Sequence, residues 1–272
     1  MSTEKKGDES ALPGASLDIA KMPGHWLLAR LGKRVLRPGG METTHALLEA
    51  LDITQKDNVV ELAPGLGSTA RLIFAKGPQS YVGLERDESA AAFTRRHLEE
   101  FKNAKVLVGT ADDSGLDSES ASVIVGEAML TMNTQSQKEK IVEEALRILE
   151  PGGRYGIHEL CIVPDTISQA RQDEINAELS SSIHVGARPL SSTHWRELME
   201  EAGFTVVAEG TAPMHLLRPK RLIEDEGVLG ALRIAKNIAL NPAARKRVMA
   251  MRRVFDQYQD HIAAIRIVGS KT

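Results

Sequence analysis

The chain is short of cysteine, of long apolar runs and of net charge, and each shortage removes a class of answer. A single thiol, Cys161, cannot close an intrachain disulfide, and no C-x-x-C or Cys/His spacing offers zinc a ligand set. A reduced, cytoplasmic setting without a metal site is therefore expected. Nowhere do about eighteen consecutive apolar residues occur, the least that a membrane-crossing helix needs, so no membrane span is expected. The formal charge of −3 argues against a protein that lives wholesale on nucleic acid. Residues 1–15 are polar and lack the apolar centre of a secretory signal; they are expected to form a frayed leader. No internal repeat or low-complexity stretch is visible.

What is present suits one sizeable core. With 272 residues, 42% of them apolar, a single α/β domain carrying insertions is the expectation. A helical stretch around residues 17–31 precedes the loop Arg37-Pro38-Gly39-Gly40 and a helix over 41–51. From Val59 onward, apolar runs at 81–85, 105–109, 122–126 and 154–160 alternate with amphipathic stretches at 88–102 and 135–149. Such alternation predicts parallel strands joined by right-handed helical crossovers. The 135–149 helix is the clearest: Ile141, Val142, Ala145, Leu146, Ile148 and Leu149 share a face, and Thr134 with Gln137 offers a capping box. Pro151-Gly152-Gly153 ends it. A polar, partly helical insertion spans 162–190, and a helix from Trp195 to Ala202 leads into a strand at 204–208. Residues 217–259 read as helices split at Asn241-Pro242, before a last strand near 262–268. The strands flanking that excursion are expected to pair antiparallel at one sheet edge.

The segment Val59 to Ser68 carries the chemistry. An apolar strand containing Glu61 runs into Ala63-Pro64-Gly65-Leu66-Gly67 and then a helix. Glycines let backbone approach a ligand, and a helix start offers free N–H groups. The spacing Gly65-x-Gly67-x-x-Ala70 alone would fit a loose dinucleotide fingerprint. In an open parallel sheet the ligand lies beyond the carboxyl ends of the strands. The strand-end residues therefore belong together: Glu61 to Gly67, Glu85, Gly109 to Asp112, Gly126 to Met129, and His158-Glu159.

The E-x-x-x-G-x-G motif from Glu61 to Gly67, the acid at Glu85 and the L-E-P-G-G run before 154 together resemble the class I S-adenosylmethionine-dependent methyltransferases. The resemblance covers roughly residues 37–210. It is nearest to the small-molecule group that includes the ubiquinone and menaquinone C-methyltransferases and the glycine or sarcosine N-methyltransferases. It implies a Rossmann-like, mostly parallel seven-stranded sheet in the order 3-2-1-4-5-7-6, strand 7 antiparallel, with helices on both faces. It also implies S-adenosylmethionine as cofactor, a small-molecule acceptor as partner, and direct displacement at the sulfonium-bound methyl. Glu61 and the backbone of Ala63, Gly65 and Gly67 would hold the methionine end. Glu85 would accept both ribose hydroxyls, Ala111 and Asp112 would meet adenine, and Glu127, Ala128 and Met129 would border the sulfonium. Arg37 and Thr44 are candidates for the methionine carboxylate. Thr110 stands where the family usually has aspartate.

The implied division is 16–56 as N-terminal helices, 57–161 as cofactor-binding core, 162–190 as lid insertion, and 191–272 as the end of the core. The segments 162–190 and 217–259 are expected to form the acceptor pocket and its lid. His158, Glu159 and His184 are the candidate bases; His158 and Glu159 could instead be satisfied buried groups, and His184 a surface histidine. Met22, His25 and Trp26 could cover the cofactor or simply pack. A homodimer is a possible assembly. The ten Lys and Arg from Arg218 to Arg253 would attract an anionic partner, or form the solvated side of amphipathic helices whose other side holds Leu222, Ile223, Leu229, Leu232 and Ile234. A nicotinamide-dependent oxidoreductase and a non-catalytic S-adenosylmethionine-binding protein remain as rivals, the former opposed by Glu61, Pro64 and the lack of a Tyr-x-x-x-Lys set.

Overall fold

A computed structural model describes residues 12–14 and 17–272. Eight strands alternate with helices: β1 (Asn58–Leu62), β2 (Ser80–Glu85), β3 (Ala104–Val108), β4 (Ala121–Glu127), β5 (Leu149–Ile162), β6 (Leu190–Ser191), β7 (Phe204–Pro213) and β8 (Ile262–Lys271). They lie in the order β3-β2-β1-β4-β5-β8-β7, with β6 paired to the end of β5. β1 through β5 are mutually parallel, and β8 runs antiparallel to both β5 and β7. The expected topology is therefore found, its numbering shifted by the two-residue β6.

Helices α2 (Gly40–Ala50), α3 (Ser68–Phe74) and α4 (Glu88–His97) pack one face of the sheet through Leu47, Leu51, Ile73 and Ala91. On the opposite face, α5 (Gln135–Ile148) and α7 (Ser192–Glu201) bury Ile141, Val142, Trp195 and Leu198. The capping box of Thr134 and Gln137 starts α5 as read from the sequence. A third apolar cluster lies beyond the carboxyl ends of the strands. It is built from α1 (Gly24–Arg30), α6 (Gln169–Ile183) and α9 (Pro242–Gln257).

Three expectations need correction. The helix expected over 17–31 is only α1, because Pro23 lacks an N–H and can stand before a helix but not within one. Of the expected leader, Leu12 is buried with Ala29, Leu66 and Phe93, so this part is packed; residues 1–11 and 15–16 lie outside the described residues. The third concerns α8 (Pro219–Leu240), which buries only Ala231 and Ile234. Leu229 and Leu232 are 83% and 62% exposed, so the inward apolar side expected of an ordinary amphipathic helix is not where these leucines point.

α8 has a second role at its kink. Gly227, at φ 70° and ψ 168°, breaks the helix immediately after Asp225 and Glu226. Glu226 accepts the backbone N–H groups of Arg34 and Val35, and Asp225 accepts that of Met41. Both acids pair with Lys33, which is fully buried, at 3.3 and 3.6 Å. The loop from Lys33 to Met41 is thereby stapled to α8. Gly40, at φ 65°, sits so close to the Asp225 carboxylate that a Cβ would collide with it. A buried cation stripped of its partners is costly. Replacing Asp225→Asn and Glu226→Gln together is expected to remove ~3 kcal/mol or more, read as a lower midpoint in urea unfolding.

Candidate active site

The strands deliver their last residues to a common cavity of about 390 Å³. β1 contributes Glu61, Ala63, Pro64 and Gly65; β2 contributes Glu85; the turn after β3 contributes Gly109 to Asp112; β4 contributes Glu127, Ala128 and Met129. α1 and the loop after it close one side with His25, Trp26, Leu36 and Arg37. Two alanines mark its edge. Ala63 and Ala128 have φ of 54° and 53°, a left-handed conformation that an L-residue with a Cβ adopts only at a cost. Each still extends the ladder, Ala63 donating to Leu84 and Ala128 to His158, and then turns the chain sharply around the cavity rim.

The carboxylates in this cavity have opposite fates. Glu61 is buried and receives one side-chain hydrogen bond, from the Tyr81 hydroxyl at 2.7 Å. Burial, with neighbouring Glu127, pushes it up to about 8, so at neutral pH it holds a proton. Glu85 is also raised, mainly by burial, although it accepts the N–H groups of Gly65 and Asp87. Glu127 is as deeply placed but lowered to about 2: the Arg37 guanidinium and His158 outweigh the desolvation that opposes them. Its Oε2 lies 2.6 Å from Thr44 Oγ1, 2.7 Å from His158 Nδ1 and 3.2 Å from Arg37 Nε, and its Oε1 accepts from Thr69 at 2.5 Å. Arg37 also donates through Nε to Thr44 and through Nη2 to Met41 Sδ.

A second, smaller cavity of about 100 Å³ adjoins the first. His25, Leu36, Ala128 and Met132 line both. Most of the rest of its wall comes from the third apolar cluster, including Leu28, Leu160, Leu179, Ile183, Met251 and Phe255. No Asp, Glu, Lys or Arg lines it; its polar side chains are His25 and Thr131, and Thr131 is already bonded to Glu159. His25 meets no hydrogen-bonding partner among the described residues. Burial and the Arg86 cation lower its pKa to about 4, so the ring is neutral above that pH. It packs against Trp26 with the rings tilted at 60° and their centroids 4.6 Å apart.

Of the residues singled out in the sequence, Arg37, Glu61, Ala63, Gly65, Glu85, Ala111, Asp112, Glu127, Ala128 and Met129 line the large cavity. Thr44 and Gly67 do not: Thr44 sits behind, orienting Arg37 and Glu127, and Gly67 is the left-handed N-cap of α3. The three candidate bases also lie elsewhere. His158 is fully buried, its Nε2 donating to the Pro38 carbonyl at 2.5 Å and its Nδ1 facing Glu127, so neither nitrogen offers a lone pair to the cavity. Glu159 accepts the N–H groups of Met129, Leu130 and Thr131 and the Thr131 hydroxyl, capping a 3-10 turn at 130–132. His184 caps α6 in a left-handed conformation and lines neither cavity.

Comparison with known proteins agrees with this geometry. A family model described as a methyltransferase domain matches residues 59–153. An uncharacterized protein of Haemophilus influenzae is 31% identical over 251 residues, covering 91% of this chain and 98% of its own length. Residues 59–153 thus carry a methyltransferase domain. Solved structures agree at the level of fold. A putative sarcosine dimethylglycine methyltransferase from Galdieria sulphuraria superposes with a TM-score of 0.67 at 16% identity, over 85% of this chain and 86% of that one. Phosphoethanolamine N-methyltransferase 2 of Haemonchus contortus, solved with S-adenosyl-L-methionine, gives 0.69 at 16% identity, over 91% of this chain and 56% of that one. The [4+2]-cyclase SpnF gives 0.70 at 14% identity, over 90% and 92%. Since that group includes a cyclase, the acceptor side of this methyltransferase has to be read from its own residues.

Thr69 and Asn133 line the methyltransferase cavity without having been singled out in the sequence, whereas His25 and Trp26, read there as a cover or as packing, line it too. Thr69 had a local signal, as the second residue of the helix after the glycine loop; its partnership with Glu127 did not. Glu127 anchors this part of the site, and the sign of its pH effect follows from its shift. Its folded-state pKa is lowered from 4.5 to about 2, so the stability it contributes is complete above the unfolded value and is lost as pH falls toward 2. Glu127→Gln is expected to cost ~3 kcal/mol at pH 7 and to flatten the loss between pH 4.5 and 2, as followed by melting temperature against pH.

Proposed function

We propose that this methyltransferase binds S-adenosylmethionine in the larger cavity and transfers its methyl group to an uncharged, apolar small molecule held in the smaller one. The observation that carries this reading is the shared wall of His25, Leu36, Ala128 and Met132, where an acid-lined chamber meets an apolar one. The donor set fits the cofactor. Glu61, protonated and with one hydrogen-bonding partner, suits an incoming ammonium, whose arrival would favour the ionised carboxylate. Glu85 stands at the end of β2, where the family's ribose acid lies, and Gly109 to Asp112 suit the base. Arg37, oriented by Thr44 and Glu127, suits a carboxylate.

When bound, S-adenosylmethionine supplies an electrophilic methyl on a sulfonium. The chain supplies position and dryness. Ala128 and Met132 border the passage between the chambers, and Glu159 fixes that turn by capping it. The leucines, isoleucine and methionines of the small chamber exclude water and leave a charged acceptor without a partner. His25 keeps a neutral imidazole at the junction, where it takes the proton that an O–H, N–H or acidic C–H acceptor releases. His25 thus replaces His158, Glu159 and His184 as the proposed proton acceptor.

Titration calorimetry with S-adenosylmethionine, its demethylated product and NADH tests the cofactor reading; binding of NADH alone would overturn it. A pH series sharpens it. Because free Glu61 holds its proton below about 8, cofactor binding at pH 7 is expected to release a proton, visible as an enthalpy that varies with buffer. Affinity should rise as pH climbs toward 8, and Glu61→Gln should abolish that rise. His25→Phe is expected to lower kcat by about 10²-fold while leaving cofactor affinity near that of the native protein. An equal loss in both would assign His25 to cofactor binding instead.

A further inference from the structure

The outer face of α8 and α9 carries an arrangement that methyl transfer itself does not use. From Gly227 to Phe255 the sequence holds seven Lys and Arg and no Asp or Glu, within a chain whose net charge is −3. After the Gly227 break, Val228, Leu229, Leu232 and Leu240 are 60%, 83%, 62% and 71% exposed. Their spacing, with Lys236 between, follows one stripe of a helix. Helix-spaced apolar side chains are normally the buried side; here they face outward while Ala231 and Ile234 face in. Arg233 and Lys236 beside them meet no partner among the described residues. On α9, Met249 is 47% exposed among Arg245, Lys246 and Arg253, while Met251 and Phe255 of the same helix wall the apolar chamber.

We propose that this face docks the protein on an anionic lipid surface, with the leucines of α8 entering the headgroup boundary and the cations of α8 and α9 resting on the phosphates. Exposed leucines next to unopposed cations are what an interfacial helix presents. A second copy fits less well. A two-fold contact through this patch would set it against itself, cation against cation. A nucleic acid would reward the cations and leave the leucines in water. No helix among the described residues is long and apolar enough to cross a membrane, so the contact is peripheral. Docking places the outer side of α9 on the lipid while its inner side walls the chamber proposed for an apolar acceptor. Docking follows from exposure and charge alone; only the delivery of acceptor rests on the proposed methyl transfer.

Flotation of the full chain with vesicles of phosphatidylcholine, with and without phosphatidylglycerol, tests the docking. The protein is expected to float with the anionic vesicles, to release at high salt, and to remain soluble with phosphatidylcholine alone. Leu229→Ser with Leu232→Ser, and separately Arg233→Glu with Lys236→Glu, should each reduce binding at least tenfold. These side chains are solvent-exposed, and unchanged melting temperature and cofactor calorimetry would show the fold and the cofactor cavity intact. Failure of the native protein to float, or flotation unaffected by both variants, overturns the proposal. So does a native dimer in light scattering that Leu229→Ser with Leu232→Ser converts to monomer, or binding to duplex DNA at the affinity seen for anionic vesicles. Loss of S-adenosylmethionine binding in the native protein would overturn the methyl-transfer reading and leave the docking result standing.

Discussion

A carboxylate at the end of the central strand holds this site together. Glu127 closes β4, and its two oxygens gather side chains from four other segments: Arg37 from the stapled loop, Thr44 from α2, Thr69 from α3 and His158 from β5. Burying a lone carboxylate costs several kcal/mol, and two hydroxyls, a guanidinium and an imidazole offset that cost. Because each partner belongs to a different element, the pairing also fixes where those elements sit. Arg37 reaches the cavity wall from the middle of a loop whose two ends, at 33–35 and at Met41, are held by Asp225 and Glu226.

The contrast with Glu61 shows how one fold keeps two glutamates in different states within one cavity. Both are removed from bulk water, yet one is pushed to about 8 and the other to about 2. The difference lies in partners: Glu61 has a tyrosine hydroxyl and acidic neighbours, whereas Glu127 has a guanidinium, an imidazole and two hydroxyls. A group already satisfied by the protein has little to gain from a ligand. A group held protonated by burial has ionisation to gain from a cationic one, and for that reason Glu61, rather than the better-connected Glu127, suits an ammonium.

What the sequence made legible follows from the range of the forces involved. The strand-end acids, the glycine turn, the capped helix at α5 and the split at Asn241-Pro242 are written in neighbouring residues and in periodicity, and the sheet order follows from the family resemblance. Partnerships across long separations were not legible. Glu127 with Thr69, Lys33 with Asp225, and Glu159 with the 130–132 turn each join residues between 28 and 192 positions apart. His158 and Glu159 illustrate the consequence. Their expected place at a strand end marks them as functional, but the strand runs on to Ile162 and both are consumed by neighbours. The same limit applies to α8, whose leucines at helical spacing predict a buried face. Burial depends on a neighbour being there, and periodicity carries no information about the neighbour.

The two chambers also have different origins in the chain. The acid-lined cavity is made mostly by strand ends inside residues 59–153, the span shared with the methyltransferase domain model. The apolar chamber is walled mainly from outside that span, by α1, α6, the 214–216 segment and α9. Ala128, Thr131 and Met132 are the residues of the shared span that reach it. On the proposed reading, changing the acceptor need not disturb the strand ends, because the walls of the apolar chamber hang on separate helices. The junction is where the two must agree. A left-handed Ala128 and a turn capped by a buried glutamate are stiff features, and they fix the junction while the helices beyond it set the shape and polarity of the apolar chamber.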